Sequence, residues 1–146
     1  MCIACLAFPG YCSGKILMQY PADTVIKAMD TLYHLNQHKK EIIQPVYADM
    51  LLKGKHQFLQ VDVVKVINPQ KRPLIFYVYY QYLNKEKILL GSFSLYPADN
   101  PGRFIVATNG KVEKEGSIIL LLTSPAKIEA TDQLEVAVKK ITFRQK

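Results

Sequence analysis

The spacing of apolar residues along the chain changes character near Gly54. Upstream, Val25, Ile26, Met29, Leu32 and Tyr33 recur at helical intervals and form one stripe. Asp23 can cap the start of such a helix, and Lys27, Asp30 and Asn36 fall on its opposite face. Lys39 and Lys40 stand where a helix C-terminus favours cations. The pattern predicts a helix from about Asp23 to Lys40. Lys15 to Tyr20 reads as a strand before it. Val46 to Leu52 reads as a second short helix that stops at Gly54.

Downstream the period becomes two. His56 to Ile67 alternates at Leu59, Val61 and Val63, then changes phase to Val64 and Val66, which is the sequence mark of a bulge. Leu74 to Leu83 is apolar or aromatic on both faces, as in a central strand. Asn84 to Lys87 is a hairpin loop, and Ile88 to Tyr96 is its return strand with Gly91 inside. Pro101-Gly102 suits a type II turn ahead of a strand from Phe104 to Thr108. Asn109-Gly110 is a strong hairpin signal, with Lys111 to Glu115 as its exposed partner. Ser117 to Leu122 is a strand, Thr123 to Gln133 a long loop, and Leu134 to Phe143 a strand that re-phases across Lys139-Lys140, as at a second bulge.

These elements predict a mainly β fold, an antiparallel β-sandwich or open barrel of about six to seven strands with the N-terminal helix packed on it; α+β is the alternative label. No gap after Gly54 holds a crossover helix for a parallel sheet. Residues 1–146 read as a single domain, with a helical or irregular segment over 1–54 and an antiparallel β region over 55–146. The tetrapeptide Tyr20-Pro21-Ala22-Asp23 recurs as Tyr96-Pro97-Ala98-Asp99, but the flanking residues do not align, so no duplication is inferred.

Composition narrows the function classes. Hydrophobic residues at 49% and charged residues at 21% exclude whole-chain disorder and a collagen repeat. No run approaches the roughly 18 apolar residues of a membrane-spanning helix. The net charge of +7 comes from sixteen Lys and only three Arg, Arg72, Arg103 and Arg144. Lysine is a hydrated point charge and arginine the bidentate reader, so this balance favours solubility and guarded strand edges over specific nucleic-acid recognition. Cys2, Cys5 and Cys12 all lie in the first twelve residues, which disfavours a disulfide scaffold and suits a reducing compartment, unless residues 1–13 are the remnant of a signal sequence.

Three groups of residues could carry chemistry. Cys2 and Cys5 form C-x-x-C and His34 and His38 form H-x-x-x-H, together the donor set of a tetrahedral zinc or redox site; no other cofactor is expected. Cys2, freed by removal of Met1, would be an N-terminal nucleophile, but no accompanying oxyanion motif is present. Nucleotide-binding, nucleophile-elbow and zincin motifs are absent, so the chain reads as no enzyme. The strand Phe76 to Tyr82 places Tyr77 and Tyr79 on one face, a row suited to a protein partner or to stacked bases. With Asp99, Asn100 and Arg103 of the following loop, these tyrosines are the candidate binding residues. The expected function is a non-enzymatic binding or accessory module that recognises another macromolecule, a protein foremost. The alternatives are a metal- or redox-active protein using the cysteines with His34 and His38, and a basic single-stranded nucleic-acid-binding domain.

Overall fold

The structure, a computed structural model, describes residues 31–51 and 57–145. Its strands are β1 (Leu32–Asn36), β2 (Glu41–Val46), β3 (Gln57–Ile67), β4 (Ile75–Tyr82), β5 (Lys87–Ser94), β6 (Gly102–Ala107), β7 (Gly116–Thr123), β8 (Glu135–Lys139) and β9 (Thr142–Gln145). Every pairing between them is antiparallel. One sheet runs β1-β8-β3-β6, with β9 also on β3; the other runs β2-β7-β4-β5. The consecutive pairs β1–β2 and β5–β6 each step from one sheet to the other and lie side by side, so the two sheets curl towards a barrel. The mainly β, antiparallel expectation holds. Among the described residues there is no α-helix, and hence none long and apolar enough to cross a membrane.

The core follows from alternation. Leu59, Val61 and Val63 of β3 face Phe76, Val78 and Tyr80 of β4 and Ile118, Leu120 and Leu122 of β7 in one buried cluster. At the β5–β6 corner the rings of Phe76, Phe93 and Phe104 stack at 4.9 and 4.2 Å between centroids, carrying aromatic contact from one sheet to the other. Gly91 lies so close to this corner that a Cβ there would stand 3.0 Å from Val106 Cγ1.

The expected helix from Asp23 to Lys40 is overturned over residues 31–40, where the chain forms β1 and turns into β2; residues 23–30 lie outside the described residues. Leu32 and Tyr33 fit a helical stripe, but Tyr33 and Leu35 also alternate as strand residues, and Asn36 decides the outcome. Its Oδ1 accepts the backbone N–H groups of His38 and Lys39 at 2.8 and 2.7 Å, and its own N–H donates to the Lys39 carbonyl at 2.8 Å. A side chain that bonds the following backbone competes directly with a helix. The second helix expected at Val46 to Leu52 is a single 3-10 turn at Ala48–Met50. Pro45 sits within β2, a position tolerated because β2 is an edge of its sheet. The strand expected at Lys15 to Tyr20 lies outside the described residues.

Later expectations fared differently. The phase change in β3 is real: its register with β8 shifts between Val63 and Lys65. Asn109 and Gly110, at φ of 52° and 72°, make a turn, but the chain there passes from β6 to β7 of the other sheet and Lys111 to Glu115 form no strand. Tyrosine hydroxyls hold this segment instead. Tyr80 donates to the Lys114 carbonyl, and Tyr82 donates to the Lys111 carbonyl at 2.6 Å and accepts the Glu113 N–H at 3.2 Å. Burial foremost, with the charges of Tyr82 and Glu115, pushes the Tyr80 hydroxyl up to about 12, so it remains a donor. The turn expected at Pro101-Gly102 lies earlier, where the Asn100 N–H reaches the Pro97 carbonyl at 3.0 Å; Gly102 opens β6.

The re-phasing at Lys139-Lys140 is a break rather than a bulge. β8 pairs with Val63 to Ile67 of β3 and β9 with Gln57 to Gln60. Between them the peptide groups of Ile141 have no ladder partner. Gln44 of β2, only 1% exposed, satisfies both: its Nε2 donates to the Ile141 carbonyl and its Oε1 accepts the Ile141 N–H, each at 2.8 Å. Replacing this amide by an apolar side chain leaves two buried backbone groups unpaired. Gln44→Leu is therefore expected to cost about 2–4 kcal/mol of stability, read as a lower urea midpoint at unchanged slope.

Candidate functional site

Tyr77 and Tyr79 alternate with Phe76, Val78 and Tyr80, whose side chains fill the core. They therefore project from the outward face of the β2-β7-β4-β5 sheet. Register builds the rest of that face. Tyr79 pairs with Ile119 of β7 and with Leu89 of β5, and Ile119 pairs in turn with Ile43 of β2. An apolar row thus crosses all four strands. Ile43 and Leu89 at its ends are 58% and 46% exposed, while Ile119 in the middle is 2% exposed and stands apart from the inter-sheet core. The next row contains Leu121 and Tyr77, whose ring lies 6.4 Å from that of Tyr79.

Lys87 of β5 reaches over this face. Its Nζ lies 5.4 Å from the Tyr79 ring centroid and 3.5 Å from the Glu41 carboxylate of β2. β5 and β2 are opposite edges of the sheet, three strand spacings or roughly 14 Å apart if flat. Side chains meet across that span because the face is concave along the diagonal. The result is a trough with Ile119 on its floor and a cation held over an aromatic ring.

The loop residues lie apart from this face. Asp99 pairs with Lys71, and Asn100 closes the Pro97 turn. Asn68, buried, donates to the carbonyls of Arg72 and Ala98 at 2.8 and 3.0 Å and accepts the Arg72 N–H at 3.1 Å. Arg72 grips Asp132 through Nε and Nη2 at 2.9 and 3.1 Å. The hydrogen bond from Lys71 holds the Asp99 carboxyl below its ordinary value, and those from Arg72 and the Glu129 N–H do the same for Asp132. These groups fasten three connections to one another. Arg103 lies on β6 of the other sheet, with Nε 2.9 Å from Asp62 Oδ1. The five candidate residues therefore do not converge: the tyrosines form one face, Asp99 and Asn100 belong to the fastened loops, and Arg103 to the other sheet.

His34 and His38 are not on a helix face. His34 is on β1, with Nδ1 3.5 Å from Glu135, and His38 is in the β1–β2 turn; both line a shallow hollow of 420 Å³. Among the described residues no group of three or more His, Cys, Asp or Glu is placed to hold a metal, and Cys2 and Cys5 lie outside those residues. A larger hollow of 1190 Å³ between the β4–β5 turn and residues 110–115 mixes Lys85, Lys111 and Lys114 with Glu86, Glu113 and Glu115. Its charges are balanced and converge on no point.

The sequence places Tyr77 and Tyr79 on one face of their strand, as the structure does, whereas Ile43, Leu89 and Ile119 join that face only once register is known. No protein-family model matches the chain, and no curated protein matches it in sequence.

The loop cluster makes stability depend on pH with a definite sign. Asp132 has a folded value below the ordinary 3.8. The stability from its pairing with Arg72 is thus full above that value and is lost as pH falls through the lower folded one. Asp132→Asn is expected to lower the urea midpoint at neutral pH and to flatten its fall between about pH 5 and pH 2, compared with the unmodified chain.

Proposed function

We propose that the protein is a non-enzymatic binding module that recognises another protein through the trough on the outward face of β2, β7, β4 and β5. The observation that carries this reading is the row Ile43, Ile119, Tyr79 and Leu89, apolar across four strands and exposed at both ends. Exposed apolar side chains gathered with half-buried tyrosines on one sheet face are the kind of patch that a partner covers. Tyrosine supplies large contact area at small entropic cost and is favoured where binding energy concentrates. Single-stranded nucleic acid calls for aromatic rings and cations in one groove. Here the cation beside the tyrosines, Lys87, is paired with Glu41, and Arg103 and Arg144 lie on the other sheet, which favours a protein partner.

Capture from the native source tests the reading. Tyr77→Ala with Tyr79→Ala, or Ile43→Asp with Leu89→Asp, is expected to weaken retention of a bound protein by about 2 kcal/mol or more, with the thermal transition still cooperative. Lys127→Glu, on the loop after β7, is expected to leave retention unchanged. Equal retention by all variants contradicts the assignment of the site, and collapse of the fold in both double variants assigns these side chains to stability.

A further inference from the structure

The outward face of the other sheet is charged where the trough is apolar. On β3 the outward residues are Phe58, Gln60 and Asp62, since Leu59, Val61 and Val63 are buried in the core. Their partners across the ladder share that face: Arg103 opposite Asp62 and Ile105 opposite Gln60 on β6, and Arg144 opposite Phe58 on β9. A relay of hydrogen bonds links them. Arg103 Nε donates to Asp62 Oδ1 at 2.9 Å, Gln60 Nε2 donates to Asp62 Oδ2 at 2.9 Å, and Arg144 Nη1 donates to Gln60 Oε1 at 2.5 Å.

Two of the three arginines in the chain are thereby fixed on one face. The relay engages one nitrogen of each; both Nη groups of Arg103 and Nη2 of Arg144 have no protein partner among the described residues. Lys139 adds its charge beside Asp62. Burial raises the Asp62 carboxyl, but hydrogen bonds from Gln60 and Arg103 and the two cations outweigh it and hold it below the ordinary value. Arg103 and Arg144 against the one carboxylate of the relay leave an excess of positive charge there.

We propose that this face binds an extended acidic segment of a partner protein, with one carboxylate on Arg103 and another on Arg144. The site is separate from the apolar trough and does not rest on it. The arginines register with Asp62 and Phe58, four residues apart on β3 but on its opposite sides, so their backbones stand roughly 13 Å apart along the strand and roughly 10 Å across it, while their side chains lean inward onto Asp62 and Gln60. Residues i and i+4 of an extended peptide lie roughly 13 Å apart and point to the same side, so a segment crossing β3 obliquely places one over each inward-leaning guanidinium. Ile105, 55% exposed, lies midway between the two rows along the strand direction, on the β6 side, and offers apolar contact to residue i+2. The matching pattern is acidic–x–apolar–x–acidic. Guanidinium groups take carboxylates through paired N–H donors, and prior fixing by Asp62 and Gln60 lowers the entropic cost of ordering them. Phe58, the aromatic residue beside Arg144, is half-buried, so the face offers no open ring for a base to stack on.

The test is fluorescence anisotropy on the full chain with two labelled probes: a peptide alternating glutamate, serine, leucine, serine and glutamate, and an oligothymidylate of similar length. The peptide is expected to bind, and Arg103→Gln and Arg144→Gln are each expected to weaken it about tenfold. Arg103→Lys and Arg144→Lys, which keep the charge and lose the fork, are expected to lose about half of that effect on a logarithmic scale. Lys85→Gln with Lys114→Gln, on connections away from this face, is expected to stay within about twofold, since distant surface charges are screened. Circular dichroism confirms that each variant is folded. Absence of peptide binding overturns the proposal, as does an equal loss in the lysine pair, which would show diffuse attraction to net charge. Tighter binding of the oligothymidylate, lost with the same two arginines, overturns it in favour of a nucleic-acid face.

Discussion

The break in the edge of β3 is the constraint around which the two sheets are arranged. Among the described strands β3 is the longest, with eleven residues, and on one side it must accept β8 and then β9 with a gap between them. Backbone groups buried in such a gap cost about 1–3 kcal/mol each unless they are paired. Gln44 reaches from the opposite sheet and takes both the N–H and the carbonyl of Ile141, doing with one side chain what a ladder neighbour does with its backbone. This contact differs from hydrophobic contact between the sheets because it is directional. Leu and Val side chains tolerate sliding by an ångström, whereas a two-point amide bond at 2.8 Å does not. Gln44 therefore fixes where β2 stands relative to β9, and with it which residues of β2, Ile43 among them, turn outward.

From that placement the two outward faces acquire opposite characters. The four-stranded sheet presents exposed Ile43 and Leu89 beside half-buried Tyr77 and Tyr79, while the β3 sheet presents Arg103, Ile105 and Arg144 flanking Asp62 and Gln60. Both patterns are consequences of alternation, since a strand that buries every second residue presents the others as a row. The loops, by contrast, spend their polar groups on one another. Asn68, Arg72, Asp99 and Asp132 are each bound by residues from another connection or from their own turn, so they hold the ends of the strands in place.

What could be read in the sequence follows the range of the interaction that decides it. The bodies of β3, β4, β5 and β7 were legible because alternation is local, and the register shift in β3 was visible as a change of phase at Val63 and Val64. The β1–β2 corner is hidden in the sequence because Leu32 and Tyr33 fit two periods equally, and the side chain of Asn36 settles the matter. The β8–β9 break was taken for a bulge because its stabilising partner, Gln44, lies 97 residues away in sequence. Tyr77 and Tyr79 were found from their own strand; Ile43, Ile119 and Leu89 required register between strands, which no local pattern specifies. Asp99 and Asn100 attracted attention as polar loop residues, but the partners that occupy that loop, Lys71 and Asn68, lie about thirty residues upstream.

Amide hydrogen exchange at Ile141 tests the central claim most directly, because that N–H belongs to no strand ladder. If Gln44 locks the two sheets together, the Ile141 amide exchanges only through global unfolding, with the same free energy as the amides of Leu59 and Val61 in β3. Exchange at the rate of an exposed loop amide, while Leu59 and Val61 remain protected, would contradict it.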